Sequence, residues 1–214
     1  MITLVFDYDG TLHDSMKIYA PSFRKCCEKM REDGLSVKEY TDAEIKHWIG
    51  MDVKSMWNEF RPDLSEERKN SYGGFIGSQM TELIRQNKAV LYDGVSDMLE
   101  ELKQSGKYRL VFLSSCKREY MEAHIKSFGL DRWFEDFYCT EDFGFIPKYE
   151  IFGKVRDKYD EFVVIGDRLS DIETAEKNGG DSIGCAYGYG TDDELKNAGY
   201  KVKSIIELKK ILLN

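Results

Sequence analysis

Short apolar runs recur along the chain and alternate with segments in which apolar residues follow the period of a helix. The apolar runs cover residues 2–6, 108–115, 136–140, 161–167, 181–188 and, more weakly, 200–202. Helical periodicity is found at residues 95–104, 119–128, 149–159, 171–177 and 204–213. Strands and helices that alternate at these lengths are typical of right-handed βαβ units, which build a parallel sheet. The pattern predicts the α/β class, with a doubly wound parallel sheet.

The interval from about Met16 to Val90 breaks this alternation, because it contains no convincing strand pattern. Its helical stretches are predicted near residues 17–32, 41–48, 53–60 and 65–87. Residues that interrupt helices separate these stretches, namely Gly34, Gly50 and Pro62. The predicted organisation is an α/β core with an inserted all-helical domain, which assigns residues 1–15 and 91–214 to the core and residues 16–90 to the insert. The expected hinges are residues 13–17 and 89–94.

The composition fits a globular protein and argues against several kinds of partner. The 214 residues, 42% of them hydrophobic, can bury a sizeable core in one large domain or in one domain with a smaller insert. The formal net charge is −8 and the basic residues form no cluster, so nucleic acid is not an expected partner. No apolar segment approaches the roughly 18 residues that span a bilayer. The first residues lack the basic region of a signal peptide, so we expect neither membrane insertion nor secretion.

The cysteines indicate a reducing compartment. There are five, at scattered positions and with no C-x-x-C pair. This arrangement argues against a disulfide framework and against a structural zinc site. We therefore expect free thiols in a cytoplasmic protein.

Two aspartates stand where the first predicted strand ends. In "LVFDYDGT" (residues 4–11), Asp7 and Asp9 are two residues apart, which would place both on one face if the strand continued. Taken alone, the pair is explained equally well by a polar turn with Gly10 in a left-handed conformation.

A second acidic cluster favours a functional site over a simple polar turn. Asp167 ends the apolar run at 161–167, and Asp171 lies in the first turn of the next helix, where it is also suited to capping. Because the carboxyl ends of parallel strands open on one edge, both clusters are expected to converge there. Such carboxylates repel one another unless a cation lies among them, and hard oxygen ligands suit Mg²⁺, which also binds substrate phosphate.

Two further segment ends offer groups that bind phosphate. Ser114 and Ser115 end the run at 108–115 with hydroxyl groups and backbone N–H donors, although a serine there is also a common helix N-cap. Lys148 follows Pro147 at the start of a predicted helix. The helix dipole disfavours a lysine in the first turn, so Lys148 needs an anionic neighbour more than an ordinary surface lysine does.

Taken in order, these residues resemble the four motifs of the haloacid dehalogenase-like (HAD) hydrolase superfamily. "DYDGTLHDS" resembles the first motif, D-x-D-G-T, and "GDRLSD" resembles the fourth, G-D-x-x-x-D. Ser114 is similar to the Ser/Thr of the second motif, and Lys148 to the lysine of the third. The resemblance covers the whole chain, and the insert resembles the C1-type cap of the phosphoglycolate phosphatase-like branch. Tyr8 departs from the pattern, where an aliphatic residue or phenylalanine is more usual.

The resemblance implies two catalytic carboxylates. Asp7 would attack phosphorus and become an aspartyl-phosphate. Asp9 would protonate the leaving oxygen and then deprotonate the hydrolytic water. Haloacid dehalogenases lack an acid at the second position, because a halide needs no proton, so Asp9 points to phosphoryl transfer.

The resemblance also implies a metal site and a phosphate site. Mg²⁺ would be held by the Asp7 carboxylate, the Asp9 backbone carbonyl and Asp167, with Asp171 in an outer or water-mediated role. The transferring phosphoryl group would be bound by Ser114, Ser115 and Lys148. The implied activity is hydrolysis of a small phosphorylated metabolite, with phosphoglycolate and pyrophosphate as the nearest analogies in the family. Either a monomer or a homodimer is compatible with the sequence.

Residues of the insert are candidates for substrate specificity. In related enzymes the loop between the first cap helices faces the active site when the cap closes. The candidate contacts to an anionic substrate are His47, Gly50, Lys54 and Arg61. The large apolar residues nearby are expected to pack within the insert instead, namely Trp48, Met56, Trp57 and Phe60.

Other functions fit the sequence less well. The chain contains no C-x₅-R, no G-x₄-G-K-[ST] and no G-x-S-x-G, and its three histidines show no metal-ligand spacing. Within the superfamily, a β-phosphoglucomutase-like mutase and a phosphonatase with Lys54 as the Schiff-base lysine remain open. A receiver-like signalling module would carry its phosphoacceptor on a middle strand and lack a large helical insert. A catalytically silent member is the remaining alternative.

Overall fold

A computed structural model describes residues 1–51 and 53–213 of the chain. The strands are β1 (Ile2–Phe6), β2 (Tyr108–Ser114), β3 (Asp136–Cys139), β4 (Phe162–Gly166), β5 (Asp181–Cys185) and β6 (Tyr200–Val202). They form a single sheet of six strands in the order β3-β2-β1-β4-β5-β6. All neighbouring pairs are parallel. The predicted parallel sheet is therefore confirmed.

The helices fall into two sets. The insert contains α1 (Met16–Glu32), α2 (Asp42–His47), α3 (Val53–Phe60) and α4 (Glu66–Arg85). The remaining helices alternate with the strands as α5 (Val95–Gln104), α6 (Arg118–Phe128), α7 (Lys148–Val155), α8 (Leu169–Asn178) and α9 (Ile205–Leu213). Strand, helix and parallel strand thus follow one another from β2 to β5, as the periodicity predicts, whereas β6 follows β5 without an intervening helix.

β1 occupies the middle of the sheet, between β2 and β4. Leu4, Val5 and Phe6 are fully buried, as expected for a parallel strand that is covered on both faces. In register, Phe6 pairs with Phe112 on one side and with Ile165 on the other. The residues that follow β1, β2 and β4 consequently emerge side by side at one edge of the sheet.

Local sequence explains several helix ends. The side chain of Thr41 caps α2 by accepting from the backbone N–H of Glu44 at 3.4 Å, while a Glu44 carboxylate oxygen accepts from the Thr41 N–H at 2.9 Å. The Ser65 hydroxyl caps α4 by accepting from the backbone N–H of Arg68 at 3.3 Å. Helix α8 ends at Asn178, and its C-cap, Gly179, has a φ of 75°, a left-handed conformation that favours glycine.

Two predicted elements end three or more residues earlier than expected. The run at 181–188 forms a strand only to Cys185, because its ladder with β4 ends at Gly184 and its ladder with β6 ends at Cys185. The predicted helix at 149–159 begins at Lys148 and ends at Val155, and a short 3₁₀ helix, Arg156–Lys158, follows it. Such tightening is common at the C-terminus of an α-helix.

The chain forms two compact units, residues 1–14 with 91–214, and residues 15–90. The second unit has its own core, in which Phe23 stacks on Trp48 with ring centroids 5.1 Å apart. Trp48, Met56, Trp57 and Phe60 are all buried there, which confirms that they are packing residues. Within the described ranges, no helix combines the length and apolarity needed to cross a bilayer.

Candidate active site

Three carboxylates converge where the two central strands end. Asp7 follows β1, Asp167 follows the neighbouring strand β4, and Asp171 lies in the first turn of α8. The Asp7 N–H donates to the carbonyl of Ile165 at 2.8 Å, which ties the two strand ends together. One carboxylate oxygen from each of the three residues lies within 4.8 Å of the others, and all three side chains are buried. The expected convergence of these acidic residues is therefore observed.

Lys148 lies among these carboxylates. It is the first residue of α7 and is 4% exposed. Its ammonium donates to Asp7 Oδ1 at 2.5 Å and to Asp171 Oδ1 at 2.8 Å. Burial alone would lower the pKa of the Lys148 amine, but Asp171 and Asp7 outweigh burial and raise it above its ordinary value. Lys148 is thus a buried, charged group with anionic neighbours and not a solvated surface lysine.

Hydrogen bonds orient the other carboxylate oxygens. The Thr11 hydroxyl lies 3.3 Å from Asp7 Oδ2 and 3.4 Å from Asp167 Oδ1, within reach of both. The backbone N–H of Tyr189 donates to Asp167 Oδ2 at 2.6 Å. Asp171 Oδ2 accepts from the backbone N–H of Arg168 at 3.0 Å, which is the capping contact expected of an acid in a first helical turn. Asp171 therefore both caps α8 and binds Lys148.

Two glycines leave room for the carboxylates of Asp167 and Asp171 to lie against the backbone. Gly10 has a φ of 89°, and a Cβ on it would lie 2.3 Å from Asp167 Oδ2. A Cβ on Gly166 would lie 2.2 Å from the carboxyl carbon of Asp171. Any larger residue would displace the carboxylates, so both positions favour glycine.

The charge of the site suits a cation. When all three carboxylates are ionised, Lys148 compensates only one of their charges. Burial raises the pKa of Asp7 well above its ordinary value, an effect that Lys148 opposes and that Asp171 and Asp167 increase. Burial and the charge of Asp171 raise the pKa of Asp167 to about 7. A divalent cation would relieve this repulsion, and three carboxylate oxygens are the donors that Mg²⁺ prefers.

Asp9 lies in different surroundings. Its side chain is 23% exposed and lies outside the three-carboxylate group. Asp9 Oδ1 accepts from the Tyr120 hydroxyl at 2.7 Å and lies 2.9 Å from His13 Nδ1. Strand β1 has already ended at Phe6, so Asp9 belongs to the turn that follows the strand.

The two candidate serines differ in exposure. Ser114 ends β2 and is buried, whereas Ser115 is exposed. The interpretation of Ser115 as a helix N-cap is wrong, because α6 begins at Arg118 and its N-cap is Lys117. The chain needs additional residues to turn from β2 into α6, and Ser115 lies in that turn.

The candidate residues of the insert lie within the helical unit. His47 is exposed and pairs with Glu59 at 2.8 Å. Gly50 has a φ of 81° in the turn after α2, and Lys54 is exposed near the start of α3. Arg61 is mostly buried and binds Asp63 at 2.6 Å. Their contact with a substrate remains a prediction.

Several contributors to the site are not predicted from the sequence. Thr11 is part of the D-x-D-G-T pattern, but the pattern alone does not predict the contacts of its hydroxyl with Asp7 and Asp167. The backbone of Tyr189 and the hydroxyl of Tyr120 come from segments far along the chain. The glycines on either side of Tyr189 were the available signal, since they allow a close approach of backbone to the site.

The fold and the site define an α/β protein with a buried acidic and lysine-containing centre at the carboxyl edge of its sheet. Comparison with known proteins names the family: the chain belongs to the haloacid dehalogenase-like hydrolases, whose family model matches residues 4–185. A phosphoglycolate phosphatase from Colwellia psychrerythraea is 25% identical, and the match covers 92% of this chain and 89% of that protein.

Two further matches extend this comparison. A 5'-nucleotidase from Pseudomonas aeruginosa is 27% identical over 90% of this chain and 86% of its own length. The crystal structure of a predicted phosphatase from Clostridium acetobutylicum superposes with a TM-score of 0.82 and 26% identity, covering 99% of this chain and 98% of that one. The chain is therefore a HAD-type phosphatase.

Proposed function

We propose that this phosphatase hydrolyses a small phosphomonoester, with Mg²⁺ as cofactor and an aspartyl-phosphate on Asp7 as intermediate. The observation that carries the proposal is the contact of Lys148 with both Asp7 and Asp171, with Asp167 in the same group. A nucleophilic carboxylate can approach an anionic phosphate only if positive charge compensates both. Lys148 provides part of that charge.

Asp7 is proposed as the nucleophile. Its oxygen forms a bond to phosphorus while the bond between phosphorus and the leaving oxygen breaks. The Lys148 ammonium at Oδ1 and the Thr11 hydroxyl near Oδ2 hold the carboxylate in one orientation. That orientation reduces the freedom the nucleophile would lose on the way to the transition state.

Asp9 is proposed as the general acid and base. It gives a proton to the leaving oxygen in the first half of the reaction. In the second half it takes a proton from the water that attacks the aspartyl-phosphate, which releases phosphate and restores Asp7. Its position outside the carboxylate group supports a role distinct from that of the nucleophile.

The metal would be held by the carboxylates of Asp7 and Asp167 and by the backbone carbonyl of Asp9, with Asp171 in a supporting position. When bound, Mg²⁺ supplies charge compensation and orients the phosphoryl group. Ser114, Ser115 and Lys148 are proposed to bind the phosphoryl oxygens. Buried Ser114 is well placed at the end of β2 for this role, whereas exposed Ser115 would contribute through its loop.

The substrate is proposed to be a small phosphorylated metabolite. The relatives are named for phosphoglycolate and for 5'-nucleotides, so the shared chemistry is a phosphomonoester. His47, Gly50 and Lys54 remain the proposed specificity residues of the insert. A cytoplasmic location is proposed on the basis of the free cysteines, and the oligomeric state, monomer or homodimer, is a separate measurement.

The test is a panel of phosphorylated metabolites with released inorganic phosphate as the readout. We expect Mg²⁺-dependent release by the wild type and none by Asp7→Asn. Equal activity of the two proteins on every compound would contradict the proposal. Isomerised sugar phosphate without phosphate release would indicate a mutase, and borohydride trapping of a lysine adduct would indicate a phosphonatase.

A further inference from the structure

Four ring side chains pack together beside Asp9, and we call them the Tyr–His cluster: Tyr8, His13, Tyr120 and His124. Tyr8 and His13 are stacked, with ring centroids 5.2 Å apart. The ring of His124 lies 4.5 Å from those of both His13 and Tyr120. Three members are fully buried and Tyr120 is 9% exposed. None of these residues belongs to the three-carboxylate group around Lys148.

Two members of the Tyr–His cluster bind the same oxygen of Asp9. The Tyr120 hydroxyl donates to Oδ1 at 2.7 Å, and His13 Nδ1 lies 2.9 Å from that oxygen. An ionised carboxylate only accepts hydrogen bonds, so His13 donates from Nδ1. With two donors at Oδ1, the two oxygens of Asp9 are no longer equivalent.

The rings of Tyr8 and His124, rather than their polar atoms, pack around these two donors. The Tyr8 hydroxyl lies 2.8 Å from His124 Nδ1, which joins the two rings that pack against His13. Burial, together with the proximity of His13, lowers the pKa of His124 to about 3, so His124 is a neutral packing partner. The backbone adds a tight turn, in which the N–H of His13 donates to the carbonyl of Tyr8 at 2.9 Å. A rigid and buried environment of this kind leaves His13 and Tyr120 few alternative rotamers.

We propose that His13 and Tyr120 are positioning residues, which fix the Asp9 carboxyl group so that Oδ2 transfers the proton to the leaving oxygen. This inference rests on the proposed function of Asp9. As the Asp7–phosphorus bond forms and the bond to the leaving group breaks, the proton moves from Asp9 Oδ2 to the leaving oxygen. The negative charge left on Asp9 is then compensated by the two donors at Oδ1. In the second half-reaction the attacking water returns a proton to Oδ2.

Leaving-group dependence tests the proposal, because a good leaving group needs no proton. The value of kcat/KM is measured with Mg²⁺ for 2,4-dinitrophenyl, 4-nitrophenyl and phenyl phosphate, in order of rising leaving-group basicity. We expect Tyr120→Phe to lower kcat/KM about tenfold or more for phenyl phosphate, and by less than about threefold for the dinitrophenyl ester. His13→Leu should likewise make kcat/KM fall more steeply with leaving-group basicity. His13→Asn, which retains an amide donor, should show a smaller increase in this steepness than His13→Leu.

Tyr8→Phe is the matched control. It removes a buried hydroxyl from the same cluster without removing a contact to Asp9, so its leaving-group dependence should equal that of the wild type. Thermal denaturation checks that Tyr120→Phe and Tyr8→Phe remain folded. An equal loss on all three esters for Tyr120→Phe and His13→Leu, or an equal steepening in Tyr8→Phe, would overturn the positioning role alone. An absence of turnover by the wild type on every ester would overturn the proposed function, and this inference with it.

Discussion

Asp7 and Asp9 are separated by one residue, yet they lie in two different surroundings. Asp7 is 5% exposed and contacts a lysine in a group of three carboxylates. Asp9 has a side chain that is 23% exposed and contacts an imidazole and a phenol. The difference arises because the strand ends at Phe6 and the chain then turns through Gly10, with its φ of 89°. Two identical carboxyl groups are thereby suited to different tasks by their neighbours.

The largest effect is expected from Asp7→Asn. The substitution removes the proposed nucleophile but keeps the shape of the side chain, so turnover should fall by at least about 10³-fold on every ester. Steady-state release of phosphate measures the loss, and circular dichroism should show a folded protein. Activity of Asp7→Asn on activated esters would contradict the assignment of Asp7 as the nucleophile and of Asp9 as the general acid and base.

Asp9→Asn should have a large effect that depends on the substrate. Loss of a general acid costs about 10²- to 10⁴-fold in rate. We expect a loss of this size in kcat/KM for phenyl phosphate and a much smaller one for 2,4-dinitrophenyl phosphate. If both esters lost the same factor, Asp9 would not act as the proton donor.

The surroundings of Asp7 predict how stability depends on pH without a metal. The pKa of Asp167 is raised to about 7 in the folded state. The folded protein therefore holds a proton that the unfolded chain has released between about pH 4 and pH 7, so stability should fall as the pH rises through this range. The loss should be on the order of a few kcal/mol and is measured by urea unfolding in EDTA at several pH values.

Mg²⁺ sharpens this experiment. A cation bound among the carboxylates should stabilise the folded protein more at pH 8 than at pH 5, because protons compete with it at low pH. Asp9→Asn leaves the carboxylates of Asp7, Asp167 and Asp171 in place, so its stability should depend on pH and Mg²⁺ as that of the wild type does. A stability in EDTA that rises with pH from 4 to 7, or a Mg²⁺ effect that does not depend on pH, would contradict this account of the site.

The smallest effect is expected in the insert. The pair between His47 and Glu59 is exposed at both ends, so Glu59→Gln should change the free energy of unfolding by less than about 0.5 kcal/mol. It should also leave the leaving-group dependence unchanged, since neither residue has a role in the proposed proton transfer. Urea denaturation and the ester series above measure both quantities, and a change in leaving-group dependence would show that the insert influences proton transfer.

Apolar runs predicted β1 and β4 well because both strands are almost wholly buried and an aspartate follows each of them. Asp7 and Asp167 could be placed together from the sequence, since parallel strands that are adjacent in the sheet end at one edge. The contacts of Asp9 could not be predicted in this way. Tyr120 lies on α6, and its approach to Asp9 depends on how that helix packs.

The surroundings of Ser115 and Tyr8 could not be predicted from the local sequence either. A serine after a strand suits a helix cap, but the length of the turn before α6 decides which residue occupies that position. Tyr8 departed from the family pattern without an evident consequence in the sequence. In the structure its hydroxyl reaches His124, which lies 116 residues away along the chain.

The central claim is that Asp7 carries the phosphoryl group during turnover, and its most direct test is chemical trapping. The wild-type enzyme is mixed with Mg²⁺ and 4-nitrophenyl phosphate, quenched rapidly in acid and reduced with borohydride, which converts an aspartyl-phosphate to homoserine. We predict homoserine at position 7 by mass spectrometry, in an amount that depends on substrate and on Mg²⁺. Turnover with an unmodified Asp7, or with the modification at another carboxylate, would contradict the account.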